Sequence, residues 1–282
     1  MAASLVPKIY RSANKPTWCP GCGDYGVLEA TTRALATLQV EPHRVAVVSG
    51  IGCSSRFPIF LNAYGFHSVH GRVLPIATGL KVANPELTVL AVGGDGDGLA
   101  IGAGHFPHAA RRNPDITYIM MDNSIYGLTK GQISPTSRLQ QRSSTTPWGN
   151  VDRPLNPVAM AVAAGASFVA RGVSWAVAEL ADLIRQGIEH RGFAFIHAVS
   201  PCPTFNNTLA QIKPRVAPLP QGYAPTDPVR AFELALHTEA LHTGVLYREP
   251  ETIPYEERLA ALEPPTVQDR QTFLQSLIDA YR

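Results

Sequence analysis

The sequence predicts an α/β fold: a doubly wound, mostly parallel sheet with a C-terminal extension. Between residues 40 and 200 short apolar runs alternate with stretches of helical spacing, the pattern of consecutive strand–helix units. Several of those runs stop abruptly in small-residue turns, among them Gly50-Ile51-Gly52-Cys53, Gly93-Gly94-Asp95-Gly96-Asp97 and Ser200-Pro201-Cys202. After Cys202 the alternation is lost and the chain becomes Pro-rich. Residues 1–210 are therefore expected to form the α/β domain, and 211–282 an extended and helical arm that makes contact between subunits.

The elements follow in order. Residues 1–17 read as an extended, basic arm. Asp24 is placed to cap a helix over 25–38, whose apolar positions Val27, Leu28, Leu35 and Leu38 have helical spacing. Residues 44–49 read as a buried strand ended by Gly50. Residues 56–72 read as irregular and aromatic-rich, and 77–84 as a short helix that Pro85 ends. Leu87 to Val92 and Ile116 to Met121 are apolar runs joined by a helical stretch, 99–112, with a turn or kink at Pro107. Residues 124–153 are a long polar loop, of the kind that is functional or a lid. A helix follows from 156 or 157 to about 165, then a short strand at 167–170. Ser174 is placed to cap a helix running to Glu189, and 193–199 is the last clear strand. Asp227 caps a helix from 228 to about 242, and a final helix covers 267–281.

Composition excludes several function classes. The 282 residues are 45% hydrophobic and 16% charged, enough for a sizeable core. A net charge of +2 gives no reason to expect nucleic acid or an acidic polymer as partner. The N-terminus has no apolar signal region and no run approaches membrane-spanning length. A soluble, cytoplasmic protein without membrane contact is expected. The 24 prolines imply much ordered loop, which suits a subunit embraced by a partner.

The chemistry concentrates at strand ends. The span 93–131 reads as strand, loop, helix, strand, loop, which places Asp95 and Asn123 at the carboxyl ends of two strands joined by one crossover, where open parallel sheets bind ligands. A carboxylate and a side-chain amide are hard oxygen ligands suited to Mg²⁺ beside a diphosphate. Two acidic residues in a glycine turn would repel a bare phosphate, so a divalent cation between them makes sense. A Gly-Asp turn that merely ends a strand is the bland alternative. Neither a dinucleotide fingerprint nor a Walker A sequence is present. Of the four cysteines, Cys19 and Cys22 form a C-x₂-C pair, and Cys53 and Cys202 follow apolar runs. An Fe–S cluster, a structural Zn²⁺ site, a redox pair and unrelated thiols all remain open from spacing.

The motifs taken together are more specific. Gly94-Asp95-Gly96 followed 28 positions after Asp95 by Asn123 resembles the thiamine-diphosphate motif. Trp18-Cys19-Pro20-Gly21-Cys22-Gly23, Gly52-Cys53-Ser54-Ser55, His70-Gly71-Arg72, Gly127-Leu128-Thr129-Lys130-Gly131-Gln132 and Ser200-Pro201-Cys202 resemble, in order, the β subunit of the 2-oxoacid:ferredoxin oxidoreductases. Asp122 departs from the general motif, where the first of two asparagines stands. The resemblance implies the thiamine-diphosphate-binding fold in residues 1–210. It implies that Asp95 and Asn123 hold Mg²⁺ with their side chains and Ile125 with its carbonyl. Gly96, Asp97, Gly127 and Leu128 would line the diphosphate. Ile51, Gly52, Cys53, Ser54 and His70 would contact the cofactor, His70 with a catalytic role. Cys19, Cys22, Cys53 and Cys202 would hold one [4Fe–4S] cluster.

The implied reaction is oxidative decarboxylation of a 2-oxoacid, with electrons passing through the cluster to ferredoxin and the acyl group to coenzyme A. The glutamate that activates the cofactor would come from an α subunit, in an α2β2 assembly. Glu29 and Glu86 sit at ordinary helix or turn positions and offer no replacement, so the chain alone is expected to be inactive. Lys130 and the text around Ser134 and Thr204 are similar to the 2-oxoglutarate members, with pyruvate as the alternative substrate. Arg56, Arg72 and Lys130 could meet a substrate carboxylate or be plain surface charges. His105 and His108 have metal-like spacing but are as well explained by a helix beside the site. Two different classes of protein compete with this reading. One is a non-redox thiamine-dependent decarboxylase subunit, which would not need four convergent cysteines. The other is a Zn-stapled interaction protein.

Overall fold

The computed structural model describes residues 4–237, 239–262 and 270–281. Eight strands form one sheet: β1 (Val45–Ser49), β2 (Tyr64–His67), β3 (Thr88–Gly94), β4 (Ile116–Asp122), β5 (Phe168–Val173), β6 (Ala194–Val199), β7 (Val216–Pro218) and β8 (Leu241–Arg248). Their order is β2-β1-β3-β4-β6-β5-β8-β7. The first six run parallel, while β8 pairs antiparallel with β5 and parallel with β7. This is the doubly wound α/β sheet the sequence predicts.

The helices are α1 (Asp24–Leu38), α2 (Phe57–Phe60), α3 (Val73–Ala83), α4 (Asp95–Leu99), α5 (Phe106–Arg112), α6 (Pro157–Ala163), α7 (Val177–Glu189), α8 (Leu209–Ile212), α9 (Pro228–Leu236), α10 (Tyr255–Ala260) and α11 (Arg270–Ala280). The central strands β1, β4, β5 and β6 are buried at every position, as parallel strands covered on both faces must be. Side-chain alternation then makes two cores. On one face Val45, Val47, Leu90, Val92, Ile119 and Ile196 pack under α1 and α7. On the other, Val48, Ala91, Tyr118, Met120, Phe195 and Leu246 pack under α3, α5, α6 and α9. Leu180 and Ile184 of α7 are fully buried, and truncating either to Ala would cost about 2–5 kcal/mol through lost transfer energy and a cavity.

Several elements differ from the sequence reading. Asp24 does not cap α1: it lies within the first turn, is buried, and accepts a hydrogen bond from the Ser200 hydroxyl at 2.6 Å. Ser174 does not cap α7, whose N-cap is Ala176 with no side-chain bond. The expected cap Asp227 does accept the backbone N–H groups of Val229 and Arg230, and Asn156, at the expected start of α6, caps that helix by accepting from Ala159 N–H. Residues 56–72 contain α2 and the edge strand β2 rather than irregular chain, and α9 stops at Leu236 because β8 follows. Of the helical stretch expected over 99–112 only α5 is helix: α4 ends at Leu99, residues 100–105 form turns, and Pro107 stands in the first turn of α5. The N-terminal arm is pinned at Tyr10, whose hydroxyl donates to the carbonyls of Leu35 and Val40. The first residues expected in the last helix, 267–269, lie outside the described residues. The region after 211 supplies β7 and β8 to the sheet as well as helices.

At the end of the sheet formed by the carboxyl terminus of α7, Ser167 Oγ donates to Asn113 Oδ1 at 2.6 Å and lies 2.7 Å from His190 Nε2. Burial, and secondarily the charge of Arg248, push the His190 imidazole down to about 4. Its folded value lies below the ordinary 6.5, so the stability it contributes is present above that value and is lost as pH falls through about 4. His190→Gln is therefore expected to lower the thermal midpoint more at pH 7.5 than at pH 4.5. Midpoints followed by circular dichroism test this, and equal losses at both pH values would refute it.

Candidate functional site

Parallel pairing brings four loops to one edge of the sheet. The loops after β1, β3, β4 and β6 leave from neighbouring strands in the order β1-β3-β4-β6. They carry Cys53, Asp95, Asn123 and Cys202 respectively. A cavity of about 420 Å³ opens there. Ile51, Gly52, Cys53 and Ser54 line it from the β1 loop, and His70 from the segment before α3. Asp95, Gly96 and Asp97 line it from the turn after β3, and Asn123, Ile125, Gly127 and Leu128 from the loop after β4. Every residue expected to contact thiamine diphosphate or Mg²⁺ thus borders one space, whereas Arg56, Arg72 and Lys130, the candidates for a substrate carboxylate, do not line it. Tyr126, Thr129 and Gln132 also line it; the last two belong to the motif at 127–132 without an assigned role, and Tyr126 lies outside every motif quoted from the sequence.

Asp97 organises the wall of this cavity rather than facing it alone. Its Oδ1 accepts from the backbone N–H groups of Ile51 and Gly71 and from His70 Nδ1, each at 2.8 Å. Because a carboxylate only accepts here, Nδ1 of His70 donates and Nε2 is left for a ligand. The close packing needs glycine at 50: an added Cβ would fall 1.9 Å from Asp97 Oδ2. Gly96 is equally constrained, since its Cβ would meet the Tyr126 ring at 2.4 Å, and the Tyr126 hydroxyl donates to the Gly96 carbonyl at 3.0 Å.

Asp95 sits at the start of α4 and is buried. The Thr136 hydroxyl, from the long loop 124–153, lies 2.8 Å from Asp95 Oδ2 and 2.8 Å from Asp122 Oδ1. Two buried carboxylates thus compete for one hydroxyl proton. Burial first, then the Asp122 charge, push the Asp95 carboxyl up to about 7. Asp122 goes the other way: burial would raise it, but the His197 bond and charge, with bonds from Thr136 and Ser124, hold it below the usual carboxylate range. A divalent cation fits the Asp95 position on this ground, because it would offset the anionic excess. Asn123 Oδ1 already accepts from Ile125 N–H at 3.0 Å, which ties two of the expected ligand residues together. The long loop is not free to swing. Asn150 Nδ2 donates to the carbonyls of Ser137, Arg138 and Asp152 and so closes it.

The cysteines share one neighbourhood beside the cavity. A Cβ on Gly127 would lie 3.4 Å from Cys53 Sγ and 3.8 Å from Cys202 Sγ, so the absent side chain leaves the space between the two sulfurs. Burial and then Asp24, with smaller contributions from Cys202 and Cys53, push the Cys22 thiol far up. Burial, Asp24, Cys202 and Cys19 push Cys53 up to about 11. Thiolates at these positions would need a cationic centre, which is what a bound metal or cluster provides. The four sulfurs have not converged on a common point: among the described residues no group of three or more His, Cys, Asp or Glu side chains is arranged to hold a metal ion. Trp18 Nε1 donates to the Cys53 carbonyl at 2.7 Å and fixes that turn. Arg56 donates to Thr17, and Arg72 to the carbonyls of His70 and Ile101.

The chain is similar to known proteins over most of its length. Residues 50–198 match the family model for the thiamine pyrophosphate enzyme C-terminal TPP binding domain. Residues 202–264 match the model for the C terminus of the pyruvate ferredoxin oxidoreductase beta subunit. The chain is 39% identical to subunit beta of 2-oxoacid:ferredoxin oxidoreductase 2 of Aeropyrum pernix, over 90% of this chain and 87% of that one. The chain belongs to the β subunits of the 2-oxoacid:ferredoxin oxidoreductases. Another such relative is the 2-oxoglutarate oxidoreductase subunit KorB of Mycobacterium tuberculosis, 46% identical over 71% of this chain and 54% of that one. The 2-oxoglutarate:ferredoxin oxidoreductase of Magnetococcus marinus, solved with 2-oxoglutarate, coenzyme A and succinyl-CoA bound, superposes with a TM-score of 0.92 at 42% identity, covering 97% of this chain and 96% of that one. The fold of this β subunit is thereby that of a thiamine-diphosphate-dependent oxidoreductase.

A larger cavity, about 760 Å³, lies at the opposite end of the sheet between α7 and the chain after β8. Its arginines are already engaged: Arg185 with Asp182 and Glu189, Arg191 with Glu257, and Arg248 with Gln186 and the Phe168 ring. Size does not make it the site: none of the residues assigned a cofactor or metal role from the sequence lines it.

Asp97→Ala would strand the N–H groups of Ile51 and Gly71 and uncouple the two loops. A loss of about 2–5 kcal/mol is expected in denaturant unfolding. A loss below about 0.5 kcal/mol, within the range of an ordinary surface change, would show that Asp97 does not tie the loops.

Proposed function

We propose that this β subunit, paired with an α subunit in an α2β2 complex, oxidatively decarboxylates 2-oxoglutarate with coenzyme A to succinyl-CoA and CO2, and passes the electrons to ferredoxin. The observation that carries the reading is the single cavity in which the Asp95 turn, the Asn123 loop and the Cys53 turn meet. Asp95 and Asn123 with their side chains, and Ile125 with its carbonyl, would hold Mg²⁺. Gly96, Asp97, Gly127 and Leu128 would line the diphosphate. Ile51, Gly52, Cys53 and Ser54 would contact the rest of thiamine diphosphate. Cys19, Cys22, Cys53 and Cys202 would hold one [4Fe–4S] cluster. When bound, thiamine diphosphate supplies carbanion stabilisation and the cluster a one-electron acceptor.

This chain's own part is binding and orientation. His70, its Nδ1 held by Asp97, presents Nε2 to the cavity as the catalytic imidazole. Cys53 belongs both to the cavity wall and to the cysteine group, which supports a cluster held by the four cysteines beside the cofactor cavity. Among the described residues no carboxylate other than Asp95 and Asp97 lines the cavity, so the activating glutamate is assigned to the α subunit, and residues 211–282 to contact with it. The substrate assignment is supported by the KorB relatives and by the solved 2-oxoglutarate enzyme.

The complex co-purified with its α subunit is expected to reduce ferredoxin or a viologen dye with 2-oxoglutarate in a coenzyme A-dependent reaction, and at least ~10-fold faster than with pyruvate by kcat/KM, about 1.4 kcal/mol of discrimination. Equal rates, or turnover of pyruvate alone, would overturn the substrate assignment. Cys202→Ala should remove most of the iron and sulfide and bleach the brown absorbance. A colourless wild-type protein carrying zinc would instead favour the structural-zinc alternative.

A further inference from the structure

A second line of buried polar side chains runs across the sheet toward the cofactor cavity. Arg171 of β5, His197 of β6 and Asp122 of β4 lie on neighbouring strands and on the same face. Each is less than a tenth exposed. A buried guanidinium costs several kcal/mol unless it is balanced, and nothing in the cavity wall requires one at this depth. Arg171 donates from Nε to His197 Nδ1 at 3.3 Å and from a terminal nitrogen to the His242 carbonyl at 3.4 Å. Arginine only donates, so His197 accepts at Nδ1 and carries its proton on Nε2. That N–H points at Asp122 Oδ2, 2.9 Å away. The other oxygen of Asp122 accepts the Ser124 backbone N–H at 2.9 Å and meets the Thr136 hydroxyl at 2.8 Å. The same hydroxyl reaches Asp95 Oδ2.

We propose that Arg171, His197 and Asp122 form a charge-balanced brace that acts through Thr136 to fix the Asp95 carboxylate toward a divalent cation, making all four positioning residues for the cofactor site. The inference rests on the thiamine–magnesium reading of the cavity. It gives the aspartate at 122 a function: an asparagine there would lack the charge that balances Arg171, and its amide would have to present a donor to one of two groups that themselves donate. The brace crosses from β5 to β4 without touching the cavity, so its members are legible only from the hydrogen-bond sequence. Outer-shell partners of this kind set ligand orientation and typically govern metal affinity 10–100-fold.

The test is Mn²⁺ affinity, read by electron paramagnetic resonance of free Mn²⁺, in the co-purified αβ complex with thiamine diphosphate present. Thr136→Val removes the hydroxyl with no change in charge and should weaken Mn²⁺ at least ~10-fold. Thr136→Ser restores the hydroxyl and should stay within ~3-fold of wild type. His197→Leu should weaken Mn²⁺ similarly, while His197→Gln, which can donate to Asp122 and accept from Arg171, should recover most of the affinity. Wild-type affinity in folded Thr136→Val complex would overturn the brace, as would a loss in Thr136→Ser equal to that in Thr136→Val, since packing rather than the hydrogen bond would then be responsible. The Thr136 pair decides the matter if His197→Leu fails to fold. A wild-type complex that binds no Mn²⁺ would overturn the brace and the cavity reading together, whereas normal wild-type binding with unaffected variants overturns the brace alone.

Discussion

One carboxylate oxygen holds the site's loops in register. Asp97 Oδ1 gathers donors from the loop after β1 and from the segment before α3. Parallel pairing delivers the strand ends to a common edge, but it does not set the heights of loops that leave those ends. A buried acceptor shared by three donors does set them, because each N–H left without it would be stranded away from water. The cavity between the β1, β3 and β4 loops keeps its shape for that reason, and His70 faces it with a defined nitrogen.

The sheet was legible because its strands are buried on both faces and read as uninterrupted apolar runs. β1, β3, β4 and β6 lie within two residues of their expected bounds. β2 was not legible: all four of its residues are exposed, so no burial pattern marks it, and only pairing with β1 makes it a strand. β8 was missed because it is partly exposed along most of its length and begins soon after a helix with continuing apolar spacing. The caps divide in the same way. Asn156 and Asp227 cap as short polar residues do. Asp24 and Ser174 have the right residue types, but Asp24 is drawn into a buried bond with Ser200, which local sequence cannot reveal.

The site residues were legible as motifs, and their partners were not. Glycines and carboxylates in a strand-end turn announce themselves. Thr136 stands 41 positions from Asp95 in a loop of many serines and threonines, and no spacing rule selects it. Tyr126 and Asn150 are similar: their role is visible only when the loop is folded against α4. The buried charges follow a common logic. Asp95, Asp122, His197 and Arg171 occupy one continuous bonded patch in which each charge has an opposite or a donor beside it, as a low-dielectric interior demands.

The place of β8 bears on how the chain assembles as it is made. β5 is buried at every position, and among the described residues its outer edge is paired only by β8. During synthesis β5 emerges well before residues 241–248. Until they arrive, a fully buried strand presents unpaired N–H and C=O groups, the condition under which nascent chains join one another. Completion of the sheet therefore waits until synthesis has passed residue 248, and β8 serves as the segment that seals the nascent edge.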